Sequence, residues 1–335
     1  MNFFINVKHL SILITTDEDE LIKKLESEFH FFSCAKNNYP QYEIKLVKEK
    51  PAKLPSLVAA KILAHALIYH DKGARFIDYH GKALIHQEGR VYSIYCEDSD
   101  FLYELSFLTI HSLLGDLLAE LGLFRIHALA GTFGARDFIL MLPSGGGKST
   151  MLKEFLEDPQ FSIISDDSPL IDQWGEIHPF PTKISLNEKP TEGVLSHVPW
   201  QPFIRALHPP KFVLPLSHLT ERINKIPQDQ GPLLILGKRS SFPTPKLVPM
   251  NSTKTLLALL ENMVIGVGLP QVIEIFLSFK FIPDIYKMTK ASLARSRAAL
   301  HLFRRSEHYE LILSDDIQAN CQKIKDLINE SHSRK

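Results

Sequence analysis

Cysteine is scarce in this chain. Cys34, Cys96 and Cys321 stand far apart, with no C-x-x-C pair among them. That spacing excludes a disulfide framework and a cysteine-built zinc site, and it points to reduced, structural thiols. Net charge is lacking as well. Lys+Arg and Asp+Glu number 38 each, so no long-range field draws the protein to nucleic acid or to an anionic membrane. The opening "MNFFINVKHLSILITTDEDE" has an apolar run but neither a basic n-region nor a small-residue cleavage site, and it reads as a strand. A membrane span needs about twenty uninterrupted apolar residues. The most apolar later stretch, "TLLALLENMVIGVGLPQVIEIFLSF", is broken by Glu261, Asn262, Pro270 and Glu274, and is expected to form a pair of buried helices. Repeats and low-complexity segments are missing too. A cytoplasmic protein with no membrane segment and no nucleic-acid partner is expected.

What is present suits a chain of mixed α/β class. At 335 residues, 44% hydrophobic and 23% charged, it can build one large domain and a smaller one. Residues 1–100 are read as a small N-terminal accessory α/β domain. Strands are expected in "LSILITT" and "YEIKLV", with a helix between them opened by the acidic residues of "DEDELIKKLESEF". Helical spacing is read in "LVAAKILAHALIYH". A strand meander follows, turned at His80-Gly81 and Glu88-Gly89. Residues 101–335 are read as the larger domain. It opens with an amphipathic helix in "FLYELSFLTIHSLLGDLLAELG", followed by a strand pair turning near Gly134. Residues 197–249 are proline-rich and irregular apart from a strand in "PPKFVLPLSHL". Helices, the first capped by Asn251 or Ser252, a late strand in "HYELILSDD" and a closing helix complete the chain.

The stretch "FILMLPSGGGKSTMLKEFL" carries the chemistry. It reads as a buried strand, a glycine loop and a helix, the local architecture that points backbone N–H groups and a helix dipole at an anion. The phosphate-loop pattern G-x-x-x-x-G-K-[ST] is met except at its first glycine, where Leu142 stands. Ser144, Gly145, Gly146, Gly147, Lys148, Ser149 and Thr150 are expected to hold the phosphates of ATP. Lys148 would reach the β- and γ-phosphates, and the Ser149 hydroxyl would bind Mg²⁺.

Counting places a second feature beside that loop. The helix should carry the chain away by roughly 15 Å, and the strand "FSIIS" should bring it back by roughly 17 Å. Asp166 and Asp167 then emerge at the sheet edge where α/β proteins bind ligands. Two carboxylates there suit Mg²⁺ binding by one and proton acceptance by the other, or metal binding alone. Lys183 follows the same strand. It reads more readily as a surface lysine than as a charge at the site.

At these residues the chain resembles the HPr kinase/phosphorylase family, whose P-loop fold is shared with phosphoenolpyruvate carboxykinases. The family carries a histidine ahead of a strand pair, then the glycine loop, then a strand ending in Asp-Asp. Here His127 lies fifteen residues before Leu142, and Asp166 lies eighteen after Lys148. The resemblance covers about 103–186 and implies a kinase domain with a central mixed sheet. It implies that Asp166 is the base on the acceptor hydroxyl, that Ser149 and Asp167 serve Mg²⁺, and that His127 lines the pocket. The Glu-x-Arg-Gly signature of the bifunctional enzymes is absent. The nearer likeness is to stand-alone HPr-kinase-like proteins, some proposed to phosphorylate a serine of a ribosomally made peptide.

The expectation is therefore a Mg-ATP-dependent kinase acting on a hydroxyl, foremost a serine of a peptide or protein. A small-molecule hydroxyl kinase of the same fold and a non-catalytic nucleotide-binding scaffold are the alternatives. Arg205, Arg239 and Arg295 are candidates for phosphate or substrate contacts, and the oligomeric state is left open.

Overall fold

Alternating apolar residues in the first hundred positions build a sheet with one buried face. Ile12 and Ile14, Ile44, Ile85 and Ile94 are all fully buried, while their chain neighbours point the other way. The computed structural model describes the whole chain except residues 34–38, 55–57, 144, 207–208, 225–227, 229, 241, 270–282 and 334–335. It divides into two compact units of mixed α/β structure.

The first unit is Met1–Glu120 with Pro202–Lys211 and Pro270–Tyr286. Its strands are β1 (Asn2–Val7), β2 (Leu10–Thr16), β3 (Tyr42–Val47), β4 (Lys61–Ile62), β5 (Leu67–Asp71), β6 (Ala74–Asp78), β7 (Ala83–Glu88) and β8 (Val91–Cys96). They form one sheet in the order β1-β2-β3-β8-β7-β6-β5-β4. Among the described residues only the β2–β3 and β3–β8 pairs are parallel. Helix α1 (Asp19–Glu28) and helix α2 (Ser99–Glu120) pack on it. The Tyr103 hydroxyl donates to the buried Glu28 carboxylate, and Lys24 Nζ lies 3.7 Å from the Tyr103 ring centre.

Two expectations fail in this unit. The helical spacing read over 57–70 begins outside the described residues, and its described part holds the β4–β5 hairpin instead, closed by Leu63 N–H donating to Ala66 O. Strand pairing with β6 outweighs the local alanine content. Helix α2 is not amphipathic, because side chains on nearly every side of it are buried. By length and composition it could cross a membrane, yet 83% of its most apolar stretch is buried inside the protein. It belongs to this unit, whereas the sequence reading puts the domain boundary at its head.

The second unit is Leu121–Gln201, Phe212–Leu269 and Lys287–Lys335. Its elements begin with β9 (Leu123–Arg125), β10 (Leu129–Phe133), β11 (Arg136–Met141), α3 (Lys148–Leu156) and β12 (Phe161–Ser165). Short strands β13 (Leu170–Asp172), β14 (Ile177–His178), β15 (Lys183–Leu186) and β17 (Lys211–Pro215) follow, while β16 (Gln201–Phe203) lies mostly in the first unit. Then come β18 (Leu233–Arg239), β19 (Lys246–Pro249), α4 (Ser252–Leu259), α5 (Pro283–Arg305), β20 (Glu307–Leu313) and α6 (Ile317–Ser333). The main sheet has the order β12-β10-β11-β18-β20-β19, with β11, β18 and β20 parallel. Phe133, Phe138, Phe155 and Phe161 pack ring against ring and pin α3 to the sheet. Arg136 donates to Glu307 at 2.7 Å, joining β11 to β20.

Here too the sequence reading needs correcting. Residues 197–249 are not merely irregular, because they contain β18, a central strand of the main sheet. Its run "LLIL" is fully apolar, as a strand covered on both faces must be. The expected pair of buried helices is overturned in its first half. Helix α4 and a π-helical turn (Leu260–Ile265) expose Leu256, Leu257, Leu260 and Ile265, and the second half lies outside the described residues. Asn251 is the cap of α4, accepting from Lys254 N–H at 2.9 Å. Both tryptophans belong to this unit. Trp174 is 60% exposed beside His301, and Trp200 is buried with its indole N–H on Leu195 O. Cys96 and Cys321 are buried free thiols, in keeping with structural roles; Cys34 lies outside the described residues.

Candidate functional site

Strand direction alone gathers the site. The loop leaves β11 at its carboxyl end. β12 runs the same way, because each is antiparallel to β10, so Asp166 and Asp167 emerge at that edge. His127 stands just before β10 begins and thus reaches the same edge from the other direction. β18, parallel to β11, delivers Arg239 there.

The loop has the conformation its glycines permit. Gly145 and Gly147 have φ of 67° and 91°, and Gly146 N–H donates to Pro143 O at 2.8 Å to close a turn. Lys148 is the first residue of α3, followed by Ser149 and Thr150 in its first turn. Amides in a first helical turn have no partner within the helix, so they are open to an acceptor. Ser144 lies outside the described residues.

Leu142, in place of the usual first glycine, is buried and packs over Gly237 of β18. A Cβ at Gly237 would lie 1.9 Å from Leu142 Cδ2. The space that a glycine normally leaves in the loop strand is thus left here by a glycine in the neighbouring strand. Leu142 also has no left-handed backbone, so the position makes no conformational demand for glycine.

Three predicted residues converge. Lys148 Nζ donates to Asp167 Oδ1 at 2.9 Å and is hydrogen-bonded to His127 Nε2. His127 Nε2 lies 3.1 Å from the same carboxylate oxygen. The ring donates to Asp167 or accepts from Lys148 according to its tautomer. Its backbone N–H donates to Asn262 O at 2.9 Å, and Gly268 approaches the ring so closely that a Cβ would come within 2.2 Å of Cε1. Burial pushes the Asp167 carboxyl up, but the charge of Lys148 and the bond and charge of His127 outweigh it and hold the group at about 2. The Asp167 side chain is 41% exposed, against 13% for Lys148 and 12% for His127, so it is the member most open to a ligand.

Asp166 follows β12 directly. It is buried, and its Oδ2 accepts from Ser185 N–H of β15 at 3.3 Å. Lys183, on that same strand, is buried rather than a surface lysine. Of the three arginines, Arg239 donates to Gly145 O in the loop. Arg205 donates to Pro209 O in the first unit, and Arg295 donates to Val264 O at 3.5 Å. The part played by Gly237, and that of Asn262 and Gly268 in seating His127, escaped the sequence reading. No short motif signals contacts made across such distances in the chain.

The donor set suits a magnesium nucleotide. Two cations lie at the glycine loop, Lys148 on the Asp167 carboxylate and Arg239 on the Gly145 carbonyl, and a carboxyl held at about 2 is ionised at neutral pH, as a metal ligand must be. Comparison with protein-family models and with curated proteins finds no match for this chain.

Proposed function

We propose that the protein is a P-loop kinase of the HPr-kinase-like type, which transfers the γ-phosphoryl group of ATP to a hydroxyl, foremost a serine of a peptide or protein. The observation that carries this reading is the meeting of Lys148, His127 and Asp167 at the head of a glycine loop whose helix begins at Lys148. A structural glycine turn would have no use for a lysine, a histidine and a carboxylate gathered at one point. Phosphoryl transfer asks for positioning, charge neutralisation and a base; these residues would supply the first two, and Asp166 the third.

In this reading the loop amides and Lys148 hold the β- and γ-phosphates, while Ser149 and Asp167 hold Mg²⁺. The metal supplies charge neutralisation on the phosphate oxygens. Lys148, which donates to Asp167, would turn to the phosphates of a bound nucleotide. Asp166 is the base: the acceptor hydroxyl gives it a proton, a new P–O bond forms to the acceptor oxygen, and the bond from the γ-phosphorus to the bridging oxygen breaks to release ADP. His127 fixes Lys148 and Asp167 in place.

The test is ATP turnover by wild type and Asp166→Asn with Mg²⁺, against serine-containing peptides and small hydroxyl metabolites, read by phosphorus NMR. Wild type should yield ADP and a phosphorylated acceptor. Asp166→Asn should bind ATP with little change and lose about a hundredfold or more in transfer. Failure of the wild type to bind ATP would sink the kinase reading.

A further inference from the structure

Arg239 differs from Arg136, Arg222 and Arg305 of its unit. Arg136 and Arg305 are paired with Glu307 and Glu176, and Arg222 is spent on the backbone carbonyls of Leu156, Asp158 and Phe161. Arg239 is exposed, and among the described residues no carboxylate lies within 4.0 Å of its guanidinium. Its hydrogen bond goes to one carbonyl, that of Gly145 in the glycine loop, 94 residues away in sequence. A guanidinium has five N–H donors in a rigid fork, and one carbonyl engages only part of that capacity.

The fold holds this residue in place with some care. β18 runs parallel to the loop strand with Leu236 opposite Met141, so the next pair is Gly237 and Leu142. The close seating of Leu142 over Gly237 locks the two strands in register where the loop begins. Two residues further, β18 ends at Arg239, still paired with Leu313 of β20. The backbone beneath the guanidinium is therefore a strand within a sheet, while the loop beside it is the segment that receives the ligand.

We propose that Arg239 is a γ-phosphate-binding residue: a cation supplied by the adjacent strand that rests on the Gly145 carbonyl without ligand and forks onto the terminal phosphate of a bound nucleoside triphosphate. This rests on the phosphoryl-transfer reading above. It adds a residue to that site from outside the loop motif and says what the site distinguishes, namely a triphosphate from a diphosphate. Lys148 and Arg239 would then both be held on protein acceptors in the free state and both released by the same ligand.

The test needs no knowledge of the acceptor. Dissociation constants for a magnesium-bound, non-hydrolysable ATP analogue and for magnesium-bound ADP are measured by calorimetry on full-length wild type, Arg239→Ala and Arg239→Lys. Arg239→Ala should weaken the triphosphate analogue by about tenfold or more and leave ADP within about twofold. Arg239→Lys, which keeps the charge but not the fork, should fall between. An unchanged ratio of the two constants would overturn the proposal, and so would equal weakening of both, which would mean that Arg239 acts only on loop shape through Gly145. Should Arg239→Ala fail to fold, the ratio for Arg239→Lys decides. A wild type that binds neither nucleotide would remove the kinase reading itself, whereas nucleotide binding with an unchanged ratio removes only the role of Arg239.

Discussion

The two sheets of this protein use their strands to different ends. In the first unit, five of the seven strand pairings are antiparallel and tight turns join β5 through β8, so successive connections fall at alternate edges. Its buried charge is internal, as in the pairing of Tyr103 with Glu28 under Lys24. In the second unit, β11, β18 and β20 are parallel and β12 runs with them, so four carboxyl ends open at a single edge. That edge collects His127, Lys148, Asp167 and Arg239 from widely separated parts of the chain. Parallel pairing converts distance in sequence into proximity at a site, and an antiparallel meander of comparable size does not.

Substitutions should separate the two units. The largest effect is expected from Gly237→Ala, whose new methyl would meet Leu142 at 1.9 Å. Overpacking of this kind costs about 1–3 kcal/mol, and hydrogen exchange should show it in β11 and β18 while β1–β8 stay protected. Combining it with Leu142→Ala should cost less than the sum of the single changes, by about 1 kcal/mol. Full additivity would mean that the two residues are not a complementary pair.

Tyr103→Phe should do the converse. It takes a hydroxyl donor from the buried Glu28 carboxylate, a loss of about 1–3 kcal/mol. Exchange should rise in α1 and α2, with nucleotide affinity unchanged. A loss of affinity would show that the first unit shapes the glycine-loop site.

The smallest effect is a pH dependence. Asp167 is held at about 2, below its value in an unfolded chain, so its contribution to stability is complete above the unfolded value of about 4 and is lost as pH falls toward 2. Melting temperatures of wild type and Asp167→Asn should therefore differ at pH 7 and converge through that acid window. A constant gap down to pH 2 would refute the assignment.

The parts of the site within one local segment were legible beforehand. Gly145 to Ser149 announce a strand, a loop and a helix by their own backbone preferences, and the strand after the helix has a countable length, which is why Asp167 could be placed beside Lys148. The rest depends on pairing between remote segments. "LLIL" is too short for its apolar run to distinguish a buried strand from a piece of helix, so β18 went unrecognised and Arg239 had no position. The same blindness turned 57–70 into a helix, since spacing within a dozen residues cannot register that β6 is waiting to pair with β5. Leu142 is the sharpest case. Its departure from the motif has meaning only beside Gly237, 95 residues later.

The two tryptophans have a practical consequence. Both lie in the unit that carries the glycine loop, one open to solvent and one enclosed, whereas the first unit is rich in tyrosine and has no tryptophan among residues 1–120. Indole emission will therefore follow the melting of the loop-bearing unit with little interference from the other. An aqueous quencher such as iodide will silence Trp174 and spare Trp200. A single fluorimeter can thus watch one half of this protein unfold, with no label attached.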